Sequence, residues 1–233
     1  QNENDRKLFD DCGIGTNDRS VMIKGSGADL SLFEPQKWQS EVTTFILPAR
    51  MLDEKGVRDF VAAARLVRGR GYSAAFVLQG SPDAGNPTAI PEEELLEWHH
   101  SGVVRWNRFD RAIGKALAAA DVVVLPSYYR EGVPKTLIDA AAAGRPAITT
   151  DWPGCRDAIV AGETGLLCRI RDQEDPAAKM TWFLDRPGEI KRMGERARAF
   201  AEQEFDIRAV VKTHLELYEQ LAKMNASRVK VAT

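Results

Sequence analysis

The sequence predicts an α/β protein: a parallel sheet with helices on both faces, and further helices at its C-terminal end. Two observations predict it. Short continuous apolar runs, clearest in Val122-Val123-Val124-Leu125, have the pattern of strands buried on both faces. Between these runs lie segments whose apolar residues recur at helical spacing. Strands separated by helices of this length argue for right-handed βαβ crossovers.

In chain order, Gln1 to Asp11 is polar with apolar anchors at Leu8 and Phe9, and reads as a short helix broken by Gly13 and Gly15. Val21-Met22-Ile23 is expected as a short strand before a Gly25-Ser26-Gly27 turn, and 29–41 as irregular loop around Pro35. Thr43 to Leu47 is the first strand of the alternating region. Val57, Phe60, Val61, Ala64 and Val67 then form a helical stripe. Ala74 to Leu78 is the next strand, closed by Gly80. A loop from Pro82 to Pro91, a helix from Glu92 to His100, a short strand at Val103-Val104 and a small helix from Arg111 to Ala119 follow.

The strand Val122 to Leu125 ends at Pro126 and Ser127, and Tyr128 to Gly132 form a loop. Pro134 suits the first helical position, where its fixed φ helps and its missing N–H costs nothing. Leu137, Ile138 and Ala141 supply the apolar stripe, and Gly144 with Pro146 ends the helix. Ala147 to Thr150 and Gly165 to Cys168 are two further strands. After Asp175 the chain turns helical: Pro176 and Pro187 can each open a helix. Asp206 is a reasonable N-cap for a last one, with Ile207, Val210, Val211, His214, Leu217, Tyr218 and Leu221 along one side. The tail after Asn225 is expected to fray.

Composition narrows the function classes. With 32 Lys+Arg against 34 Asp+Glu, the net charge of -2 gives no global electrostatic reason to expect nucleic acid as a partner. Three cysteines, Cys12, Cys155 and Cys168, are odd in number and widely spaced, so neither a disulfide framework nor a metal spacing follows; a reducing cytoplasm is expected. The adjacent His99 and His100 would point about 100° apart on a helix, so no metal site is expected there. No apolar run approaches the ~20 residues of a membrane span. A chain beginning with Gln, without a charged-then-apolar leader, is expected to be processed or cut from something longer.

The loop-to-helix junction at 131–139 carries the chemistry. Backbone N–H groups of Val133, Lys135 and Thr136 lie in or near a first helical turn, where intrahelical partners are missing and the helix dipole favours an anion. Lys135 and the Thr136 hydroxyl can add a charge and a donor. Glu131 would repel a phosphate bound there, so it more sensibly accepts from neutral hydroxyls; Asp139 can do the same deeper in the helix. An anion cradle with a carboxylate on each side fits a diphosphate with a sugar at both ends. Arg50 and Lys55, on the loop after the first alternating strand, add cations at a strand's carboxyl end, where open α/β sheets bind ligands. Each charge-assisted bond would contribute about 1.5–3 kcal/mol.

These residues carry a family resemblance. Arg50 and Lys55-Gly56, the run from Asp121 through Pro126-Ser127 to Glu131-Gly132-Val133-Pro134, and two acids separated by seven residues at Glu131 and Asp139 are its first part. Ala142 to Pro146, Gly154 to Asp157 and Gly162 to Leu167 complete it. The chain resembles the C-terminal, donor-binding domain of a GT-B-fold retaining glycosyltransferase of the family-4 group. It is most similar to bacterial surface-polysaccharide enzymes that extend a lipid-carrier-linked sugar. Asp139 stands where the family usually has Glu.

The resemblance implies a Rossmann-like domain, one half of a GT-B fold, over 25–205. Residues 1–24 would then be the tail of a missing N-terminal domain with its linker, and 206–233 a C-terminal helix and basic tail. It implies that Glu131 is catalytic and touches the donor sugar, and that Asp139 holds the ribose. Arg50, Lys55 and the backbone from Gly132 through Val133, Pro134 and Lys135 to Thr136 would bind the diphosphate, and a loop with Arg105, Trp106 and Arg108 the base. The substrate would be a nucleotide-diphosphate sugar, a UDP-sugar as the leading expectation, with no cofactor and no metal. The acceptor would be a glycan or lipid-linked sugar, and the full-length protein cytoplasmic, peripheral at the inner membrane face. The isolated domain would be inactive and could self-associate through its exposed interdomain surface. A sugar-nucleotide epimerase half-domain and a non-catalytic nucleotide-sugar-binding module are the rival readings.

Overall fold

The computed structural model describes residues 1–14, 20–33, 41–110 and 113–231, with side chains through Lys223. Its sheet has six strands, β1 Thr44–Pro48, β2 Ala75–Gln79, β3 Arg105–Asn107, β4 Val122–Leu125, β5 Ala147–Thr150 and β6 Gly165–Cys168. They run parallel in the order β3-β2-β1-β4-β5-β6. The chain thus winds outward in one direction from β1 and in the other from β4, which leaves a crevice where those two strands lie side by side.

Alternation along the strands explains the continuous apolar runs. Phe45, Leu47, Val122 and Val124 face one core with Phe60, Phe76, Leu78, Met180 and Phe183. Ile46, Val123 and Leu125 face the other with Leu117, Leu137, Ile138 and Phe205. Both faces are covered, so the middle residues of β1, β2 and β4 are apolar. The first core is covered by helices α2 Val57–Gly69 and α3 Glu92–His100, the second by α4 Ile113–Ala118 and α5 Lys135–Ala142. Helix α6 Glu174–Leu184 packs on α2; α7 Pro187–Glu204 packs on α5, starts at one core and ends at the other. As expected, Pro187 opens α7, and Gly144 N–H and Arg145 N–H close α5 onto the carbonyls of Ala141 and Ala140.

The N-terminal helix α1 is Glu3–Asp11, capped by the Asn2 side chain, which accepts from Asp5 N–H at 2.8 Å. The segment leading into the sheet unit and the helix leaving it meet at one point. Ala28 N–H donates to Phe205 carbonyl (2.7 Å), and Ile207 N–H donates to Ala28 carbonyl (3.0 Å). From there α8, Ile207–Val231, runs out with Asp206 as its cap, accepting from Arg208 N–H at 2.8 Å.

Several expectations are corrected. Val21–Ile23 forms no strand; Val21 and Met22 line a cleft against α1, and the three-residue run meets no sheet edge. Within the expected loop at 29–41, Leu30–Leu32 is a short 3-10 turn capped by Asp29; 34–40 lie outside the described residues, as do 111–112 of the expected small helix. The strand expected at Val103-Val104 begins two residues later, because pairing with β2 starts at Val77 opposite Arg105. Pro134, with ψ of 126°, caps α5 from outside and does not form its first turn. The tail after Asn225 continues as helix to Val231, a stretch with no Gly or Pro to stop it.

Candidate functional site

The crevice between β1 and β4 is lined by two loops that the fold fastens together. The loop after β1 ends in a single 3-10 turn, Asp53–Lys55, and then Gly56 at φ +74°. A Cβ at Gly56 would sit 2.3 Å from the Pro126 carbonyl oxygen, so the Lys55-Gly56 turn rests directly on the end of β4. The loop after β4 answers it. Ser127 Oγ (3.0 Å), Tyr128 N–H (2.9 Å) and Tyr129 N–H (3.2 Å) all donate to the carbonyl of Glu54. Tyr128 OH donates to Asp53 Oδ2 at 3.0 Å, and the Arg171 guanidinium lies 4.6 Å from its ring centroid.

This fastening brings Lys55 and Glu131 into an ion pair, although they stand 76 positions apart. Lys55 is buried, and its ammonium also lies 4.8 Å from the Tyr129 ring centroid. The far side of the acidic loop is set by Gly154, where φ is +84°; a Cβ there would fall 2.1 Å from Gly132 carbonyl oxygen and 2.7 Å from that of Glu131. Gly154 N–H is in turn held by Asp157 Oδ2 at 2.8 Å. Thr150 donates its hydroxyl to the Ser127 carbonyl, tying β5 to the same loop.

Helix α5 starts immediately beyond, with Val133 buried and the amides of Lys135 and Thr136 in the first turn. Those amides have no carbonyl four residues back within the helix, and they lie at its positive end. Lys135 pairs with Asp139 one turn on. Burial is the main influence on Asp139 and raises its pKa, while the hydrogen bond and charge of Lys135 pull it partly back. The site therefore holds two cations and two carboxylates, each cation closed on one carboxylate.

Other expected site residues are placed differently. The Thr136 hydroxyl is not an available donor, since it donates to Pro48 carbonyl at 2.8 Å and staples α5 to β1. Arg50 pairs with Asp83 (2.6 Å), on the loop after β2 and away from β4; its side chain is more than half exposed. Arg105 and Trp106 belong to strand β3, not to a loop, because β2 supplies a pairing edge as far as Gln79 opposite Asn107. Trp106 Nε1 donates to Gly80 carbonyl at 2.8 Å. Arg108, which does follow the strand, pairs with Glu92 and stacks 5.3 Å from the Trp106 centroid. Sequence reasoning missed Tyr128, Tyr129, Arg171 and the Glu54 carbonyl; only Gly56 and Gly154 gave a signal.

An open α/β sheet with a helix N-terminus, an enclosed lysine and hydroxyl-accepting carboxylates at its switch point has the chemistry to take an anionic, hydroxyl-bearing ligand. Comparison with known proteins gives the family. Residues 31–200 match the family model of glycosyl transferases group 1, and the chain belongs to that family. It is 28% identical over 235 residues to the N,N'-diacetylbacillosaminyl-diphospho-undecaprenol alpha-1,3-N-acetylgalactosaminyltransferase of Campylobacter jejuni, covering 95% of this chain and 60% of that protein. A putative colanic acid biosynthesis glycosyltransferase of Escherichia coli is 25% identical over 220 residues, covering 89% of this chain and 53% of that one. Its fold matches that of Anabaena HepE in complex with UDP, with a TM-score of 0.80 at 18% identity over 94% of this chain and 62% of the other. The chain thus spans little more than half the length of these relatives. The fold is the expected Rossmann-like unit, and the relatives are bacterial polysaccharide glycosyltransferases.

Proposed function

We propose that this chain is the donor-binding half of a retaining glycosyltransferase of bacterial polysaccharide biosynthesis. It takes a nucleoside-diphosphate sugar and presents the sugar to a glycan or lipid-linked acceptor. The acceptor is held by an N-terminal domain beyond these residues, with 1–24 as its tail and linker. The observation that carries the reading is the enclosed Lys55 set against Glu131 at the N-terminus of α5. Lys55 and the amides of Val133, Lys135 and Thr136 take the diphosphate, Glu131 the sugar hydroxyls and Asp139 the ribose. Fixed cations and the helix terminus stabilise the leaving diphosphate, so no metal is required.

The relatives support the coarse reading: one is named for a diphospho-undecaprenol substrate, and HepE was solved with UDP and with UDP-glucose. A UDP-sugar is accordingly the proposed donor, and the cytoplasmic face of the membrane the proposed workplace. Among the described residues no helix is long and apolar enough to cross a membrane.

Calorimetric titration with UDP, GDP and ADP, alone and as sugar conjugates, tests the site. Lys55→Ala is expected to weaken bare and sugar-bearing nucleotides alike, by roughly tenfold or more for a lost charge-assisted contact. Glu131→Ala is expected to cost the sugar conjugate more than the bare nucleotide. Equal losses in both variants would break the division of roles, and no binding at millimolar nucleotide would end the donor-site reading.

A further inference from the structure

Lys55 is the most enclosed cation of the site, with 10% of its side chain exposed against 26% for its partner Glu131. Its ammonium has the Glu131 carboxylate on one side and the Tyr129 ring on another. While that pair is closed, the charge a diphosphate would seek is already neutralised. An entering anion also meets the Glu131 carboxylate in a half-buried setting where salt screens poorly. The backbone that carries Glu131 is held in place. The loop before it hangs on the Glu54 carbonyl by three hydrogen bonds, and its own carbonyl and that of Gly132 lie against Gly154.

We propose that the Lys55–Glu131 pair is an anion latch that makes the site discriminate between a nucleoside-diphosphate sugar and the bare nucleoside diphosphate. The proposal rests on the donor-site reading above. A diphosphate that takes Lys55 deprives Glu131 of its counter-ion. The hydroxyls of an attached sugar replace the ammonium as donors to that carboxylate, so the exchange is balanced. A bare nucleoside diphosphate brings no such donors and leaves a carboxylate facing a phosphate. Once the sugar has been transferred, the same imbalance recloses the pair and drives the spent nucleotide out. Only ion pairs and hydrogen bonds are exchanged. The latch is thus a specificity and product-release device within the donor site.

Glu131→Gln tests it, since the amide keeps the shape and an accepting oxygen but not the charge. UDP, GDP, ADP and their sugar conjugates are titrated into the wild-type chain and the variant at one low ionic strength. The variant is expected to bind the preferred bare nucleoside diphosphate roughly tenfold more tightly than wild type. Its affinity for the sugar conjugate is expected to stay level or fall, so the preference between the two narrows. If wild type binds the bare nucleotide and Glu131→Gln binds it no more tightly, the latch is overturned while the donor site stands. If wild type binds none of the ligands, the donor-site reading falls and takes the latch with it. Glu131→Ala, equally uncharged, repeats the comparison should the amide variant fail to fold.

Discussion

Asp139 shows at the scale of one residue what this site costs the fold. It is buried on α5 with one exposed lysine for company, and burial raises its pKa. A carboxyl whose folded pKa lies above its unfolded value binds its proton more tightly when folded. Stability is therefore full below the ordinary carboxylate range and is lost as pH rises through the folded pKa. Asp139→Asn removes that dependence. The variant is expected to melt above wild type at neutral pH, with the gap closing as pH falls toward 3.8, the ordinary value for the residue. Thermal melts across pH check this, and the same variant should bind nucleotide less well. Sequence named Asp139, Glu131 and Lys55 because their types and spacing carry chemistry. It could not show that Lys55 and Glu131 neutralise one another, since that contact spans 76 positions and depends on how two loops meet. Nor could it show that Thr136 spends its hydroxyl on Pro48, 88 positions away.

At the scale of elements, the unit β4–loop–α5 was legible almost to the residue. A four-residue apolar strand, a proline at the helix entry and a glycine at its exit are local signals, and local sterics enforce them. Val21–Ile23 carries the same apolar signal and forms no strand, because a strand needs a neighbouring edge that no local pattern supplies. The loop's shape depends instead on Gly154, contributed by the connection from β5 to β6. Gly154→Ala would push a methyl into the carbonyls of Glu131 and Gly132 and impose a left-handed conformation on a residue with a Cβ. It is expected to lower stability by about 2 kcal/mol or more and to weaken nucleotide binding. Gly188→Ala, in the first turn of α7 with open space around it, should change neither greatly. Urea denaturation and titration of both variants make the comparison.

For the whole molecule, α8 leaves an apolar stripe outside the fold. Val211, Leu215, Tyr218 and Leu221 are all half or more exposed, and the first three share one helical face. Such a stripe calls for a cover, and self-association of this chain is the expected outcome when none is present. Leu215→Lys together with Tyr218→Lys should shift the chain toward monomer by light scattering; a wild-type chain that is already a uniform monomer would count against it. The same region has a topological side. Because the chain enters the sheet unit at Ala28 and leaves it at Asp206 within two mutual hydrogen bonds, the unit's two ends coincide in space. The 28–206 segment is thus expected to tolerate insertion into another chain, or permutation by joining its ends, as one unit.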